Sequence, residues 1–122
     1  MTQLTPQAET VATSRYYLKN EDNEVIETAE EMFKRVGQAI AKIDMQYGQM
    51  DANAALTAID FTSMMSELKF IPNSPTLMNA GTDQGTLSAC FVLPLEDSME
   101  DIMKAAHDIA MVQKFGGGTG FA

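Results

Sequence analysis

The sequence predicts a mixed α/β fold, in which a helical N-terminal region is followed by a strand and a further helix. In the first half of the chain, apolar residues recur at helical spacing behind a threonine that fits a helix cap. In the second half, a continuous apolar run bounded by turn residues precedes another amphipathic stretch. That order of strand, loop and helix is part of a βαβ unit. The 122 residues allow one modest domain or part of a larger one.

The first segment, residues 1–14, is polar and lacks the basic and apolar regions of a secretory signal. We therefore predict a mobile lead-in. Residues 15–26 contain an aromatic run, a turn-rich stretch and a β-branched pair, which together indicate a short hairpin. We assign residues 15–69 to the helical N-terminal region.

The clearest helix begins at Thr28, which fits a capping box with Glu31. Gly48 is its predicted stop, and a second helix is predicted from about residue 51 to residue 68. We expect the two helices to pack together and to carry no chemistry. Their apolar stripes are Met32, Val36, Ile40 and Ile43 in the first helix, and Leu56, Ile59, Met64 and Leu68 in the second.

The character of the chain changes at residues 70–85, where two prolines and two glycines exclude a single regular element. This segment is either a surface connector or a loop that positions a ligand. Residues 91–93 predict a strand buried on both faces and ended by Pro94. Ser98 then fits a helix cap, and the helix is predicted to continue to about Lys114.

A glycine-rich run, residues 116–120, follows this helix and is predicted to lead into the next strand. Without a second strand, the strand and helix would form only half of a βαβ unit. We therefore expect the chain to be the front part of a longer protein.

The acidic composition disfavours several classes of function. Eight Lys and Arg against 17 Asp and Glu give a net charge of −9, so a nucleic-acid backbone is a poor partner. One cysteine excludes an internal disulfide and a zinc site of several thiolates, and one histidine excludes a His-rich metal cluster. No apolar run approaches the roughly 20 residues of a membrane span. We expect an intracellular, cytoplasmic protein.

Few residues could carry chemistry. Cys90 is either a small buried hydrophobe or a nucleophilic or redox thiol. His107 lies off the apolar stripe of its helix and is predicted to lie at the surface. The glycine-rich run follows a helix instead of preceding one, so it fits a phosphate loop poorly, although it would admit a ligand close to the backbone. Asp97 and Ser98 open a helix, which fits either simple capping or anion binding.

Four motifs follow one another in the second half of the chain: FIPNSPTLMNAG at 70–81, LSACFVLP at 87–94, EDSME at 96–100 and KFGGGTGF at 114–121. In this order and spacing they resemble the large chain of ribonucleotide reductases. The first two motifs are most similar to the class II, adenosylcobalamin-dependent branch. The resemblance runs from about residue 15 to residue 122.

The resemblance implies a ten-stranded α/β barrel and an enzyme that converts ribonucleotides to 2′-deoxyribonucleotides by radical chemistry, for DNA synthesis. It implies that Cys90 is one thiol of a redox pair that delivers two electrons to the ribose. By the same resemblance, Ser74 and Ala89 contact the substrate. Gly117 and Gly118 match a loop whose backbone packs along the substrate.

The resemblance also implies an allosteric deoxynucleotide at Asp97 and Ser98, on a dimer interface, and hence a homodimer when the protein is complete. Adenosylcobalamin and a thioredoxin-type reductant are implied as cofactor and electron donor. Residues 70–122 would form the truncated start of the catalytic barrel. The second redox cysteine and most of the cobalamin-binding region would lie in the rest of the reductase chain, so this chain alone is expected to be inactive.

Two other functions stay open. One is a stand-alone module that binds a deoxynucleotide or dimerises through the helix start at Asp97 and Ser98, without catalysis. The other, a cysteine hydrolase, is a poor candidate because His107 lies on an ordinary helix and no oxyanion motif accompanies Cys90. Whether the substrate is a di- or a triphosphate is also open.

Overall fold

The computed structural model describes residues 4–48, 50–83 and 85–121. The chain divides into two compact units, Met1–Pro72 and Asn73–Ala122. No helix in the described parts of the chain is long and apolar enough to cross a bilayer. The elements in order are helices α1 (Pro6–Arg15), α2 (Ala29–Ala41), α3 (Asp51–Ser66) and α4 (Ser74–Asn79), strand β1 (Cys90–Leu93), helix α5 (Met99–Lys114) and strand β2 (Gly118–Phe121), with a 3-10 helix at Lys42–Tyr47 between α2 and α3.

Helix α1 lies where the sequence predicts a mobile lead-in, and this corrects our expectation for that segment. The hydroxyl of Thr5 accepts a hydrogen bond from the Ala8 amide at 3.2 Å, and Pro6 occupies the first helical position. The Tyr17 hydroxyl lies 3.0 Å from both carboxylate oxygens of Glu9. Burial, followed by the bond to Glu9, raises the pKa of Tyr17 to about 12. Capping and this longer-range contact hold a helix that has no apolar stripe.

The predicted hairpin over residues 15–26 is reduced to one antiparallel bridge, between Lys19 and Val25. Asn23 makes the turn with a left-handed φ of 67°. The chain then reaches Glu27, whose carboxylate pairs with Arg35 at 2.7 Å while both side chains are largely buried. This ion pair fixes the turn against the first helix of the core.

Helix α2 begins where the sequence predicts, because the capping box of Thr28 and Glu31 is formed. The Thr28 amide donates to the Glu31 carboxylate at 2.8 Å, and the Glu31 amide donates back to the Thr28 hydroxyl at 3.4 Å. Hydrogen bonds from Thr28 hold the pKa of Glu31 below its usual value. The last turn tightens into the 3-10 helix, which ends at the predicted stop, Gly48, with a φ of 88°.

The core of the first unit lies between α2 and α3. Met32, Phe33 and Val36 are each 2% exposed. A Cβ added to Gly37 would lie 2.5 Å from the Thr62 hydroxyl, so glycine permits the close approach of the two helices. Several residues of the predicted apolar stripes are exposed: Ile43, Leu56, Ile59, Met64 and Leu68. In α3 the reason is that the helix buries mainly small residues against α2.

The second unit contains a complete βαβ unit. Strands β1 and β2 pair in parallel, with Cys90 opposite Gly118 and Leu93 opposite Phe121, and α5 connects them. The expectation of a half-unit without its second strand is therefore wrong, because the glycine-rich run itself continues into β2. Strand β1 is also not buried on both faces, since Val92 is 84% exposed. Helix α5 begins as predicted, with Ser98 as its cap.

Candidate functional site

The two faces of the β1–β2 sheet differ in what covers them. On one face Phe91, Leu93 and Thr119 are half-buried, and α5 contacts both strands. Successive residues of a strand point to opposite faces, so Cys90 and Val92 share the other face, and both are exposed. On β2 that face carries only glycines, Gly118 and Gly120. We call this the open face of the sheet.

Three of the predicted site residues meet at the start of the sheet. The Gly118 amide donates to the Ala89 carbonyl at 2.6 Å, directly beside the pair formed by Cys90 and Gly118. Cys90 is a free, exposed thiol. It is therefore accessible from the open face, and the buried-hydrophobe interpretation does not describe it in this structure.

Gly117 also lies next to the sheet, but its space is filled from the helix side. It is buried, and a Cβ there would lie 2.6 Å from Val112 Cγ1 and 3.1 Å from Phe91 Cε2. Glycine at this position lets the end of α5 pack against β1. The substrate contact that the resemblance implies for Gly117 stays a prediction, and the structure adds a packing reason for the residue.

Ser74 is the first residue of α4 and is exposed. The preceding Asn73 caps the helix, accepting a hydrogen bond from the Thr76 amide at 2.9 Å. The Thr76 hydroxyl lies 2.9 Å from the Leu87 carbonyl, so it can donate to the segment that leads into Cys90. The loop that carries Ser74 and the strand that carries Cys90 are thus connected by side chains.

The sequence alone does not predict this connection. Asn73, Thr76 and Asn79 are three residues apart, so they follow one side of the short helix. The Asn79 amide donates to the Thr86 carbonyl at 2.8 Å. The pattern Asn-x-x-Thr is a recognisable cap signal, but nothing in the local sequence identifies the carbonyls that the helix reaches.

Asp97 and Ser98 lie at the other end of β1 from Cys90, because the strand runs from Cys90 to Leu93 before the chain turns into α5. The Ser98 hydroxyl accepts from the Asp101 amide at 3.1 Å and lies 2.6 Å from the Asp101 carboxylate. Asp97 is exposed. The structure therefore uses Ser98 as a cap and does not bring this pair together with the thiol.

The residues around Cys90 do not fit a site for adenosylcobalamin. The open face offers a thiol, a valine and two glycines, with no side chain that could ligate cobalt besides the sulfur. His107 lies on α5, with its Nδ1 3.2 Å from the Asp108 carboxylate. Bonds to His107 and Lys104 hold the pKa of Asp108 below its usual value. Among the residues that the structure describes, no three His, Cys, Asp or Glu side chains form a metal-binding group.

Two protein-family models match the chain and together span nearly all of it. The ribonucleotide reductase all-alpha domain matches residues 2–85, and the ribonucleotide reductase barrel domain matches residues 88–122. The boundary between the two matches lies in the segment just before β1. The thiol, the glycines and α5 are therefore all within the barrel match.

Curated relatives agree with these matches. A vitamin B12-dependent ribonucleoside-diphosphate reductase from Thermoplasma acidophilum is 36% identical across 98% of this chain and 22% of its own length. One of the same description from Mycobacterium tuberculosis is 41% identical across 94% of this chain and 16% of its own length. A ribonucleoside-diphosphate reductase large subunit from Danio rerio is 36% identical across 88% of this chain and 12% of its own length.

The chain thus spans less than a quarter of the length of these relatives. Both sources of similarity agree with the fold, since a helical unit precedes a parallel strand pair connected by a helix. On these grounds, the chain belongs to the ribonucleotide reductase large-subunit family and comprises part of its all-alpha domain and part of its barrel domain.

Proposed function

We propose that this chain supplies the first redox thiol and part of the substrate surface of an enzyme that reduces ribonucleotides to 2′-deoxyribonucleotides. The observation that carries the proposal is the exposed Cys90 on the open face of a parallel strand pair, beside bare glycine backbone. The relatives named as ribonucleoside-diphosphate reductases support a diphosphate as the substrate class.

The proposed role of Cys90 is to give up one of two thiol hydrogens. Cys90 and a second thiol lose two electrons and two protons and form a disulfide. At the ribose the 2′ C–O bond breaks, a C–H bond forms at the same carbon, and the oxygen leaves as water. This chain contains one cysteine, so the second thiol must come from another segment or chain.

Substrate binding is proposed at four positions. Ser74 offers a hydroxyl from the start of α4, and Ala89 offers backbone next to the thiol. Gly118 leaves the open face without a side chain, so the sugar can approach the peptide groups closely. Gly117 is proposed to contribute its backbone to the same substrate-binding loop. Ser74 and Ala89 would hold and orient the nucleotide, while Cys90 carries the electrons.

The remaining assignments are proposals about the complete protein. We assign a deoxynucleotide effector to Asp97 and Ser98, where a helix start favours an anion. We assign homodimerisation, a thioredoxin-type reductant and a cytoplasmic location to the complete enzyme. The names of two relatives support cobalamin as the cofactor, held by parts of the enzyme outside this chain.

The test is a chimera in which this chain replaces the matching 16% of the Mycobacterium tuberculosis relative. We expect it to reduce ribonucleoside diphosphates in the presence of adenosylcobalamin and a dithiol reductant. Cys90→Ser should lower turnover by on the order of 10³-fold or more, because no other thiol of this chain replaces it. Ser88→Ala is the matched control two residues away and should retain the activity of the parent chimera.

Mass spectrometry of peptides after a single turnover gives a second measurement. We expect Cys90 in a disulfide with a cysteine of the remaining chain. Full activity of Cys90→Ser with a dithiol reductant would contradict the role of the thiol. Calorimetry of the chimera with deoxynucleoside triphosphates tests the effector site, where Ser98→Ala should weaken binding because it removes the cap that holds the helix start.

A further inference from the structure

We propose that Thr76 and Asn79 are positioning residues that fix the thiol of Cys90 relative to the loop carrying Ser74. This inference rests on the proposed function, because positioning Cys90 relative to Ser74 matters only if both residues belong to the site. The hydrogen bonds of Thr76 and Asn79 to the strand side of the chain do not reach Cys90 itself. They reach Leu87 and Thr86, in the segment that leads into β1. We call their two hydrogen bonds, Thr76 to the Leu87 carbonyl and Asn79 to the Thr86 carbonyl, the α4 tether.

The geometry of the tether is specific. The Thr76 hydroxyl lies 2.9 Å from the Leu87 carbonyl, and the Asn79 amide nitrogen lies 2.8 Å from the Thr86 carbonyl. The two donors are three residues apart on α4, and the two acceptors are consecutive carbonyls. Side chains of the helix thus donate to the backbone carbonyls of the lead-in to β1, as the amides of a neighbouring strand would in a sheet.

Burial makes the first bond costly to lose. Thr76 is 8% exposed, and its neighbours Leu77 and Ala80 are 5% and 1% exposed. The Thr76 hydroxyl is therefore largely shielded from water, and removing it leaves the Leu87 carbonyl without this donor. The Thr76 hydroxyl is also 2.8 Å from the cap oxygen of Asn73, so its single proton is shared between two acceptors, the helix cap and the Leu87 carbonyl.

A glycine makes room for the second bond. Gly85 has a φ of 84°, and a Cβ there would lie 2.5 Å from Asn79 Cγ. A side chain at this position would therefore displace the amide of Asn79. The tether therefore combines donors from the helix, space at the glycine of the turn, and carbonyl acceptors from the lead-in to β1.

Position matters at this point because Cys90 is the first residue of its strand. Only two residues lie between Leu87 and Cys90, and three between Thr86 and Cys90, so a shift of either tethered carbonyl is transmitted along the backbone to the thiol. Misplacement of a reacting group by about 1 Å can cost a factor of about 100 in rate. A loosened tether should therefore lower turnover more than it weakens substrate binding.

The first experiment uses the 122-residue chain and measures hydrogen exchange of a peptide covering residues 86–90. Thr76→Val keeps the shape and removes the hydroxyl, and we expect exchange to rise by about tenfold or more, which corresponds to about 1.4 kcal/mol. Thr76→Ser should restore protection, and Asn79→Ala should loosen the peptide independently. Thr57→Val is the control, because Thr57 also donates to a carbonyl, that of Asn53 at 3.0 Å, but on α3.

The second experiment uses the chimera described above. We expect Thr76→Val to lower kcat by about tenfold with little change in KM, and Thr76→Ser to rescue kcat. Unchanged exchange in both Thr76→Val and Asn79→Ala overturns the inference, as does unchanged kcat in an active chimera. An inactive parent chimera with a protected 86–90 peptide contradicts the proposed function instead, while the exchange data still establish the tether.

Discussion

The two units of the chain differ in where they leave their surfaces uncovered. In the first unit the helices enclose Met32, Phe33 and Val36 almost completely. In the second, Val92 is 84% exposed and the thiol lies on an open sheet face. The first unit therefore uses its side chains to stabilise itself. The second presents backbone and a thiol on an uncovered sheet face, so Cys90 and Gly118 lie outside its internal packing.

The largest expected effect comes from the enclosed unit. Phe33→Ala should lower the free energy of unfolding by about 4 kcal/mol, because it removes a fully buried ring and leaves a cavity. Urea unfolding followed by tyrosine fluorescence reports this unit selectively, since Tyr16, Tyr17 and Tyr47 all belong to it. Leu56→Ala, at an exposed position of α3, is the control and should change little. A loss below about 1 kcal/mol for Phe33→Ala would contradict the inference that the enclosed core stabilises the first unit.

A smaller effect is expected where the second unit does pack tightly. Gly117→Ala should cost about 2 kcal/mol, because the new methyl group would meet Val112 and Phe91. Gly120→Ala should stay within about 0.5 kcal/mol, since no atom lies within 4 Å of its added Cβ. Hydrogen exchange of peptides from α5 and β2 measures both. Equal effects of the two substitutions would show that the two faces of the sheet do not differ as described.

Helix capping gives an effect of about 1 kcal/mol. Thr28→Ala should destabilise the first unit by that amount through loss of the capping hydroxyl. The pKa of Glu31 is lowered in the folded chain, so the ionised carboxylate contributes to folding stability above the ordinary glutamate pKa. That contribution is lost as pH falls through the lowered pKa. The difference between parent and variant, measured by urea unfolding, should therefore shrink in acid, and a difference that grows in acid would contradict this account.

The smallest effect should come from the open face. Val92→Ala should change stability by less than about 0.5 kcal/mol, because the side chain is already in water in this chain. Thermal unfolding followed by circular dichroism measures it. A loss of 1 kcal/mol or more would mean that Val92 is covered in solution, and the contrast between the units would be smaller than the structure indicates.

Local signals predicted the starts of helices well. Thr28 and Ser98 cap α2 and α5 as expected, because a cap depends on residues within one turn of itself. The stop at Gly48 follows from its left-handed φ. The start of α1 also has a local signal, Thr5 followed by Pro6, but the contact from Glu9 to Tyr17 that holds this helix spans eight residues.

Long-range features were beyond local reasoning. An apolar run such as residues 91–93 is consistent with burial on both faces, but which neighbours cover it is decided elsewhere in the chain or outside it. The bond from Thr76 to Leu87 spans eleven residues, and no periodicity announces it. The resemblance identifies the candidate site residues but not their arrangement. The strand register shows that Ala89, Cys90 and Gly118 lie together at the start of the sheet. Asp97 and Ser98 lie beyond the other end of β1.

The register of the sheet places two glycines, Gly118 and Gly120, on the open face, where the fold itself does not need them. Beside the sulfur, at the spacing of about 4.8 Å between strands, β2 shows only peptide groups on the open face. An added Cβ would find no atom within 4 Å at Gly120 and only ordinary contact at Gly118, 3.4 Å from the Ala89 carbonyl. The chain's own packing therefore tolerates a side chain at either position. A methyl group placed there should change the free energy of unfolding by no more than about 0.5 kcal/mol, whereas a molecule bound against the strand would meet it directly.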